Sequence, residues 1–263
     1  MEVRRLYYWY LKRGFILHFF LKYYIIISLC NRRKIMSFTK KIYQDTIIKS
    51  VEKINTQTLT DNDITPLLNV INNTFDILDG ISQSAPDIGV IWNEIASDVI
   101  SSINSATSGF YRQAIITLRS ILELGCSSFF YIDHKVEYHL FKVHDAKADK
   151  YVSALIRDYD FFTTNYISSF YTEIKSIQAV NNSISLFLNK VYKQLSDVVH
   201  GRYKTLTKKD ILKIDYDKTQ FNFFKDKLCL VMSILATMYI LRFDDTQNPS
   251  LVDLANQSGT VKL

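Results

Sequence analysis

Glycine and proline are scarce in this chain, which contains only 7 Gly and 3 Pro among 263 residues. These residues form the tight turns that β-rich folds require, and they interrupt helices. Their scarcity favours long helices over a turn-rich β architecture. With 48% apolar residues, a chain of this length has enough material to bury a hydrophobic core, either as one large domain or as two small ones.

Apolar residues recur at helical spacing along most of the sequence, and no long window shows the alternation of a half-buried strand. The spacing predicts helices over 38–56, 58–83, 90–106, 110–132, 134–158, 183–200 and 217–242. The aromatic and β-branched segment 159–178 is ambiguous. We therefore expect an all-α protein, a single-domain bundle of six to eight helices over 36–245, followed by a flexible C-terminal tail at 246–263.

The formal charge of +6 is concentrated at one end of the chain. Residues 1–35 carry eight Lys or Arg and one Glu, a net charge of +7, and the remaining 24 basic and 25 acidic residues give −1. The predicted helical domain is therefore nearly neutral. Its charge is no evidence for nucleic-acid binding, and the sequence contains no DNA-binding motif.

The basic N-terminal segment surrounds a hydrophobic stretch, "FILHFFLKYYIIISLC", at 15–30. It is shorter than the roughly 20 residues that span a bilayer, and it contains His18 and Lys22. One interpretation is an inner-membrane anchor or interfacial helix. The other is that translation starts at Met36 and that 1–35 is translated upstream sequence. The change in charge at 35/36 favours the second interpretation.

Three scattered cysteines, Cys30, Cys126 and Cys229, are too few for a disulfide framework and have no zinc spacing. Cys126 and Cys229 lie in apolar helical contexts typical of reduced core residues. We therefore expect a cytoplasmic protein, unless 15–30 anchors it, with no metal or cofactor.

The predicted helix over 110–132 carries a charged pair on an apolar face. Arg119 and Glu123 are four residues apart, and Cys126 and Phe130 fall on the same side of the helix. A half-buried charge must find a partner. The pair is therefore either an ion pair between helices or part of a cleft in which perturbed charges gather.

A second polar group lies where the helix over 183–200 ends. His200 precedes Gly201, and Lys193, Ser196 and Arg202 are close in sequence. One interpretation is structural, because a histidine at a helix C-terminus interacts well with the helix dipole and glycine commonly follows the last turn. The other is that His200 belongs to a site shared with Arg119 and Glu123.

Two segments resemble the HEPN superfamily of helical prokaryotic domains, many of which occur in abortive-infection, toxin–antitoxin and other phage-defence systems. These segments are "YRQAIITLRSILELG" and, some 70 residues later, "YKQLSDVVHGRY". The similarity spans about 90–240. It implies a homodimer, a protein partner from the same operon, and, in the catalytic members, RNA as substrate.

The resemblance also implies a test for ribonuclease activity. HEPN ribonucleases carry Arg, four to six residues, and then His, which together activate the RNA 2′-hydroxyl and stabilise the scissile phosphate. The corresponding positions here are Lys193, Gln194 and Leu195. Lysine lacks the bidentate phosphate geometry of arginine, although Arg119 or Arg202 could supply a guanidinium in space.

Three functions therefore remain open. The absent Arg-x4–6-His motif favours a non-catalytic interaction or sensor module of a defence or toxin–antitoxin system. The alternative is a metal-independent ribonuclease toxin, in which Arg119, Glu123 and His200 form the catalytic group, Arg119 or Lys193 holds the phosphate, and Ser196 and Arg202 support them. The third is a membrane-anchored accessory protein, which depends on residues 1–35 being translated.

Overall fold

A computed structural model describes residues 39–144, 151–169, 183–201, 214–243 and 245–263. In these ranges 83% of the residues are helical and no strand is present, which confirms the all-α prediction. The chain divides into two compact units, Met1–Asp45 and Thr46–Leu263. The N-terminal expectations for 1–35 and 15–30 lie outside the described residues.

The number of helices was predicted wrongly. Instead of six to eight, the described ranges contain about ten helices, nine of which have seven or more residues. These nine are α1 (Lys49–Asp61), α2 (Thr65–Ser84), α3 (Pro86–Thr107), α4 (Tyr111–Asp133), α5 (Lys135–Val143), α6 (Val152–Tyr159), α7 (Ser183–Val199), α8 (Lys218–Phe243) and α9 (Pro249–Asn256). Shorter pieces are the turns Lys40–Tyr43 and Thr164–Ser168 and the π-helical turn Gln44–Ile48.

The miscount has two physical causes. The segment 134–158 was predicted as one helix, but α5 ends at Val143 and α6 begins only at Val152. The expected flexible tail contains α9, which buries Leu251, Leu254 and Ala255. Helices of eight or nine residues take most of their stability from tertiary packing, which a local sequence pattern does not reveal.

Helices α4 and α8 form the centre of the larger unit. These two helices pack against each other. Helices α3 and α7 also pack against α4, and α2 and α9 also pack against α8. Helix α8 is buried without interruption from Val231 to Leu241, because its apolar residues surround the whole helix. At Gly125 of α4 an added Cβ would lie 2.5 Å from Leu235 Cδ2, so glycine permits the close approach of these two helices.

Trp92 joins α3 to α4 through a hydrogen bond and an aromatic contact. Trp92 is fully buried, its indole Nε1 donates to Ser128 Oγ over 2.9 Å, and its ring packs edge-on against Phe129. A buried indole N–H needs such an acceptor. This packing fixes α4 in the core along one side and leaves its opposite side to meet α7.

Candidate functional site

The site is built on the side of α4 that faces α7. Arg119 and Glu123 lie one helical turn apart, and Arg119 Nε donates to Glu123 Oε1 over 3.2 Å. Nη2 of Arg119 lies 3.2 Å from the same oxygen. The side chains are 14% and 29% exposed, respectively, so the pair is partly withdrawn from water at the edge of the core.

Tyr192 of α7 gives Arg119 its second partner. Arg119 Nη2 donates to the Tyr192 hydroxyl over 3.0 Å, and the guanidinium carbon lies 5.1 Å from the centre of the tyrosine ring. The ring therefore adds a cation–π contact to the hydrogen bond. Tyr192 holds this position because Leu188, Val191 and Leu195 bury the same helix against the core.

His200 follows the last residue of α7. Its backbone N–H donates to Ser196 O over 2.9 Å, and Gly201 adopts φ +58°, the left-handed conformation that ends many helices. The imidazole is exposed, and its Nε2 lies 3.5 Å from Arg119 Nη1, the longest contact of the group. Since a guanidinium can only donate, this contact requires Nε2 to carry its lone pair.

Arg112 fixes the end of α7 from one further turn along α4. Its Nη2 donates to Val198 O over 3.3 Å, a carbonyl of the last helical turn. The last four carbonyls of a helix receive no hydrogen bond from an N–H of the same helix, and basic side chains commonly donate to them instead. One interpretation of the sequence gave the role at this helix end to His200, whereas Arg112 makes the carbonyl contact here.

The charges of the group support one another. Burial works against the charged guanidinium, but the Glu123 carboxylate and the Tyr192 hydroxyl outweigh it and raise the pKa of Arg119. Burial, followed by the charge of Glu123, raises the pKa of Tyr192. Arg119 is therefore a permanent cation, and Tyr192 a neutral hydroxyl, at any physiological pH.

The structure brings Arg119, Glu123 and His200 together, as the shared-site interpretation of the sequence requires. The three residues expected to support this group take different positions. Ser196 donates its hydroxyl to Tyr192 O over 2.8 Å, a contact within its own helix. Lys193 is exposed two turns before His200 on the same side of α7. Arg202 lies outside the described residues.

Tyr192 was not predicted as a site residue, although it stands first in the "YKQLSDVVHGRY" segment. Tyr192, Ser196 and His200 are spaced by four residues and so lie along one side of α7. That spacing was visible, but a tyrosine beside an apolar stripe is most simply assigned to the core. Only the position of α4 shows that its hydroxyl meets a guanidinium.

No metal centre is apparent in the described ranges, where no three His, Cys, Asp or Glu side chains are grouped to hold an ion. Among the helices of those ranges, α4 alone has the length and apolar composition of a membrane span, and 56% of that window is buried inside the structure. Central helices of water-soluble cores have the same composition, so α4 is weak evidence for a membrane.

Comparisons with known proteins identify no relative. No protein-family model matches the chain, and neither a curated protein nor a solved structure matches it significantly. The fold and the Arg119–Glu123–Tyr192–His200 group, called the Arg119 cluster below, therefore carry the functional argument.

Proposed function

We propose that this protein is a metal-independent ribonuclease of the HEPN-like kind, acting in a prokaryotic defence or toxin–antitoxin system. The observation that carries the proposal is the 3.5 Å contact between Arg119 Nη1 and His200 Nε2 at an exposed edge of the protein. No arginine precedes His200 with four to six residues between them, where HEPN ribonucleases carry one. Arg119 offers a guanidinium to the same imidazole from a neighbouring helix.

The chemistry needs one base and one cation. When a phosphate takes up Arg119 Nη1, the lone pair of His200 Nε2 is released from that contact. Nε2 then accepts the proton of an RNA 2′-hydroxyl as the hydroxyl oxygen forms a bond to the adjacent phosphorus. The Arg119 guanidinium stabilises the negative charge that develops on the phosphoryl oxygens. The bond from phosphorus to the 5′-oxygen breaks, that oxygen takes a proton from the His200 imidazolium, and the products are a 2′,3′-cyclic phosphate and a 5′-hydroxyl.

Arg119 keeps donors for this task. A guanidinium has five N–H groups in its plane, and the contacts to Glu123 Oε1 and the Tyr192 hydroxyl use Nε and Nη2. The N–H groups of Nη1 are left for phosphate once the contact to His200 Nε2 opens. Glu123 and Tyr192 act as positioning residues, since they hold the guanidinium beside the imidazole. Lys193 supplies a further exposed cation along α7 for the RNA backbone.

A second candidate function is the non-catalytic interaction or sensor module. Glu123 favours it, because a carboxylate 3.2 Å from Arg119 neutralises the cation that a phosphate would need. The nearly neutral charge of residues 36–263 favours it as well, since binding to RNA is driven mainly by positive charge. In this function the Arg119 cluster joins α4 to α7, and a protein from the same operon or a second copy of the chain is the partner.

Inducible expression of the full chain in bacteria tests the two functions against each other. Growth and the integrity of cellular RNA are scored for the wild type, His200→Ala and Arg119→Lys, with His139→Ala as an exposed-histidine control on α5. The ribonuclease proposal expects growth arrest with cut RNA from the wild type and the control alone. Intact RNA in every strain contradicts it and leaves the interaction module, whose partner is then sought by co-purification.

A further inference from the structure

A small cavity adjoins the Arg119 cluster. It encloses about 210 Å³, and Glu123 contributes to its wall. The remaining lining comes from Ile91 of α3, from α4, from Phe141 of α5 and from Tyr151 just before α6, and the α4 residues are Ser120, Leu124, Ser127 and Tyr131. One carboxylate therefore belongs both to the cluster and to the cavity.

The walls of the cavity suit a flat aromatic ligand. Tyr131 and Phe141 are stacked with their ring centres 5.1 Å apart and their planes inclined by 28°. Tyr151 is 53% exposed, and it lines the cavity together with buried Tyr131 and partly buried Phe141. Exposed aromatic side chains beside a cavity are the surfaces on which proteins stack unpaired bases of single-stranded RNA. The volume is below the roughly 300–1,000 Å³ of sites for drug-sized ligands, so a single ring system is the largest reasonable occupant.

The polar groups restrict the kind of base. A carboxylate only accepts hydrogen bonds, and it has about four acceptor positions, of which Arg119 occupies those on Oε1. Guanine presents two neighbouring donors, N1–H and N2–H, on its Watson–Crick edge. Adenine and cytosine each present an acceptor beside their amino group, and uracil presents one donor between two carbonyls. Since Arg119 holds Oε1, the match is to Oε2, whose two acceptor positions suit the neighbouring N1–H and N2–H of guanine. The hydroxyls of Ser120 and Ser127 are suited to donate to O6 of the same base.

We propose that this cavity is a base-binding subsite for guanine in single-stranded RNA, next to the phosphate held by the Arg119 cluster. The inference rests on the ribonuclease proposed above, and it assigns that site a substrate preference. Tyr151 stacks on the base, Glu123 reads its Watson–Crick edge, and the ribose 3′-phosphate extends towards Arg119 and His200.

Calorimetric titration of the full chain with the four nucleoside 3′-monophosphates tests the subsite without requiring catalysis. We expect guanosine 3′-monophosphate to bind about tenfold more tightly than the adenosine, cytidine and uridine compounds. Ser127→Leu, which fills the cavity, and Tyr151→Ala, which removes the stacking surface, should each weaken guanosine binding by about tenfold. Ser101→Leu on α3 and Phe75→Ala on α2 are the matched controls, because both residues are exposed and neither lines the cavity.

The outcomes separate the subsite from the nuclease. Guanine-selective binding that both cavity variants lose supports the subsite even if no RNA is cut. Equal affinity for all four nucleotides, no binding, or binding unaffected by Ser127→Leu overturns it even if RNA is cut. Both cavity variants must keep the melting temperature of the wild type within the range of the two controls. If Ser127→Leu fails to fold, Tyr151→Ala decides, since its side chain is mostly in solvent.

Discussion

Arg119 is the residue on which the most interactions of the site converge. Its guanidinium joins two helices through Glu123, the Tyr192 hydroxyl and ring, and His200. Hydrogen bonds that involve a charged group contribute about 1.5–3 kcal/mol each when partly buried, more than the bonds of neutral pairs. The same side chain is therefore expected to matter both for stability and for phosphate binding.

Arg119→Ala should lower the free energy of unfolding by about 2 kcal/mol, because it leaves Glu123 and the Tyr192 hydroxyl without their cation. Tyr192→Phe should cost about 1 kcal/mol, since only one hydrogen bond is lost. Urea denaturation of both single variants and of the double variant measures these values. The double variant should be less destabilised than the sum of the single variants, because the two side chains share one hydrogen bond.

The exposed pair Arg157–Asp158 gives the control for that cycle, with the arginine 72% exposed. Arg157→Ala should leave the denaturation midpoint nearly unchanged, since exposed ion pairs contribute little. A cycle in which Arg119 and Tyr192 prove strictly additive would contradict the hydrogen bond between them.

The helices differ in how much of their position the sequence predicted. Helices α2, α3, α4 and α8 are long, and several turns of apolar spacing locate them from the sequence alone. The boundary between α5 and α6 was missed because 134–158 contains no Gly or Pro to mark it. Helix α9 was missed because it has only eight residues, and its stability comes from burial against α8 and α2. Local pattern therefore predicted the long helices, while the short ones depend on contacts with distant residues.

Asn248 links the missed helix α9 to α2. Its side-chain oxygen accepts from Leu251 N over 3.2 Å as an N-cap, and its amide nitrogen donates to Asp76 Oδ2 over 2.7 Å. Asn248→Ala should lower the free energy of unfolding by about 1–2 kcal/mol, because both contacts are lost. Asn248→Ser should cost less, since serine keeps the cap. Equal losses in thermal denaturation of the two variants would show that the cap contributes nothing.

Gly80 of α2 permits α8 to approach closely. An added Cβ would fall directly on the Tyr239 hydroxyl, which is buried and donates to Asp245 Oδ2 over 3.1 Å. We expect Gly80→Ala to lower the free energy of unfolding by about 1–3 kcal/mol, although alanine favours helix formation. In a Tyr239→Phe background the cost should shrink, because the nearest clashing atom is gone. An unchanged cost in that background would place the strain elsewhere.

For the protein as a whole, buried Tyr239 and partly buried Tyr166 link stability to alkaline pH. Burial, together with the hydrogen bond to Asp133, raises the pKa of Tyr166, and burial with the nearby Asp245 charge raises that of Tyr239. The unfolded chain releases these protons near pH 10, whereas the folded protein retains them. The contribution of these two tyrosines to the free energy of unfolding is therefore fully present below pH 10. It decreases as the pH rises above that value.

Urea denaturation at pH 9.5 and pH 11 measures this loss. Tyr166→Phe combined with Tyr239→Phe should reduce the difference between the two pH values, even though the variant is less stable at both. The buried Cys126 thiol, whose pKa burial also raises, starts to contribute at lower pH and remains in the variant. Tyr151→Phe, an exposed substitution, should leave the difference as in the wild type. The same difference in the double variant would exclude Tyr166 and Tyr239 as its source.

The candidate site was only partly predictable from the sequence. The i,i+4 spacing of Arg119 and Glu123 and the Gly201 stop after His200 are local features, and both were found from the sequence. The distance from Arg119 to His200, 81 positions later in the chain, depends on how α7 packs on α4. That packing also placed Tyr192 and Arg112 in roles that no local pattern shows. The positions separated from His200 by four to six residues hold Lys193, Gln194 and Leu195, and the guanidinium that lies beside His200 comes from α4.

Cleavage of RNA by the purified chain with EDTA present tests the ribonuclease proposal most directly. The wild type should cut single-stranded RNA and leave 2′,3′-cyclic phosphate ends. His139→Ala should cut equally fast, and His200→Ala should be slower by at least about a hundredfold. RNA that stays whole with the wild type, or that His200→Ala cuts at the same rate, would contradict a ribonuclease built on Arg119 and His200.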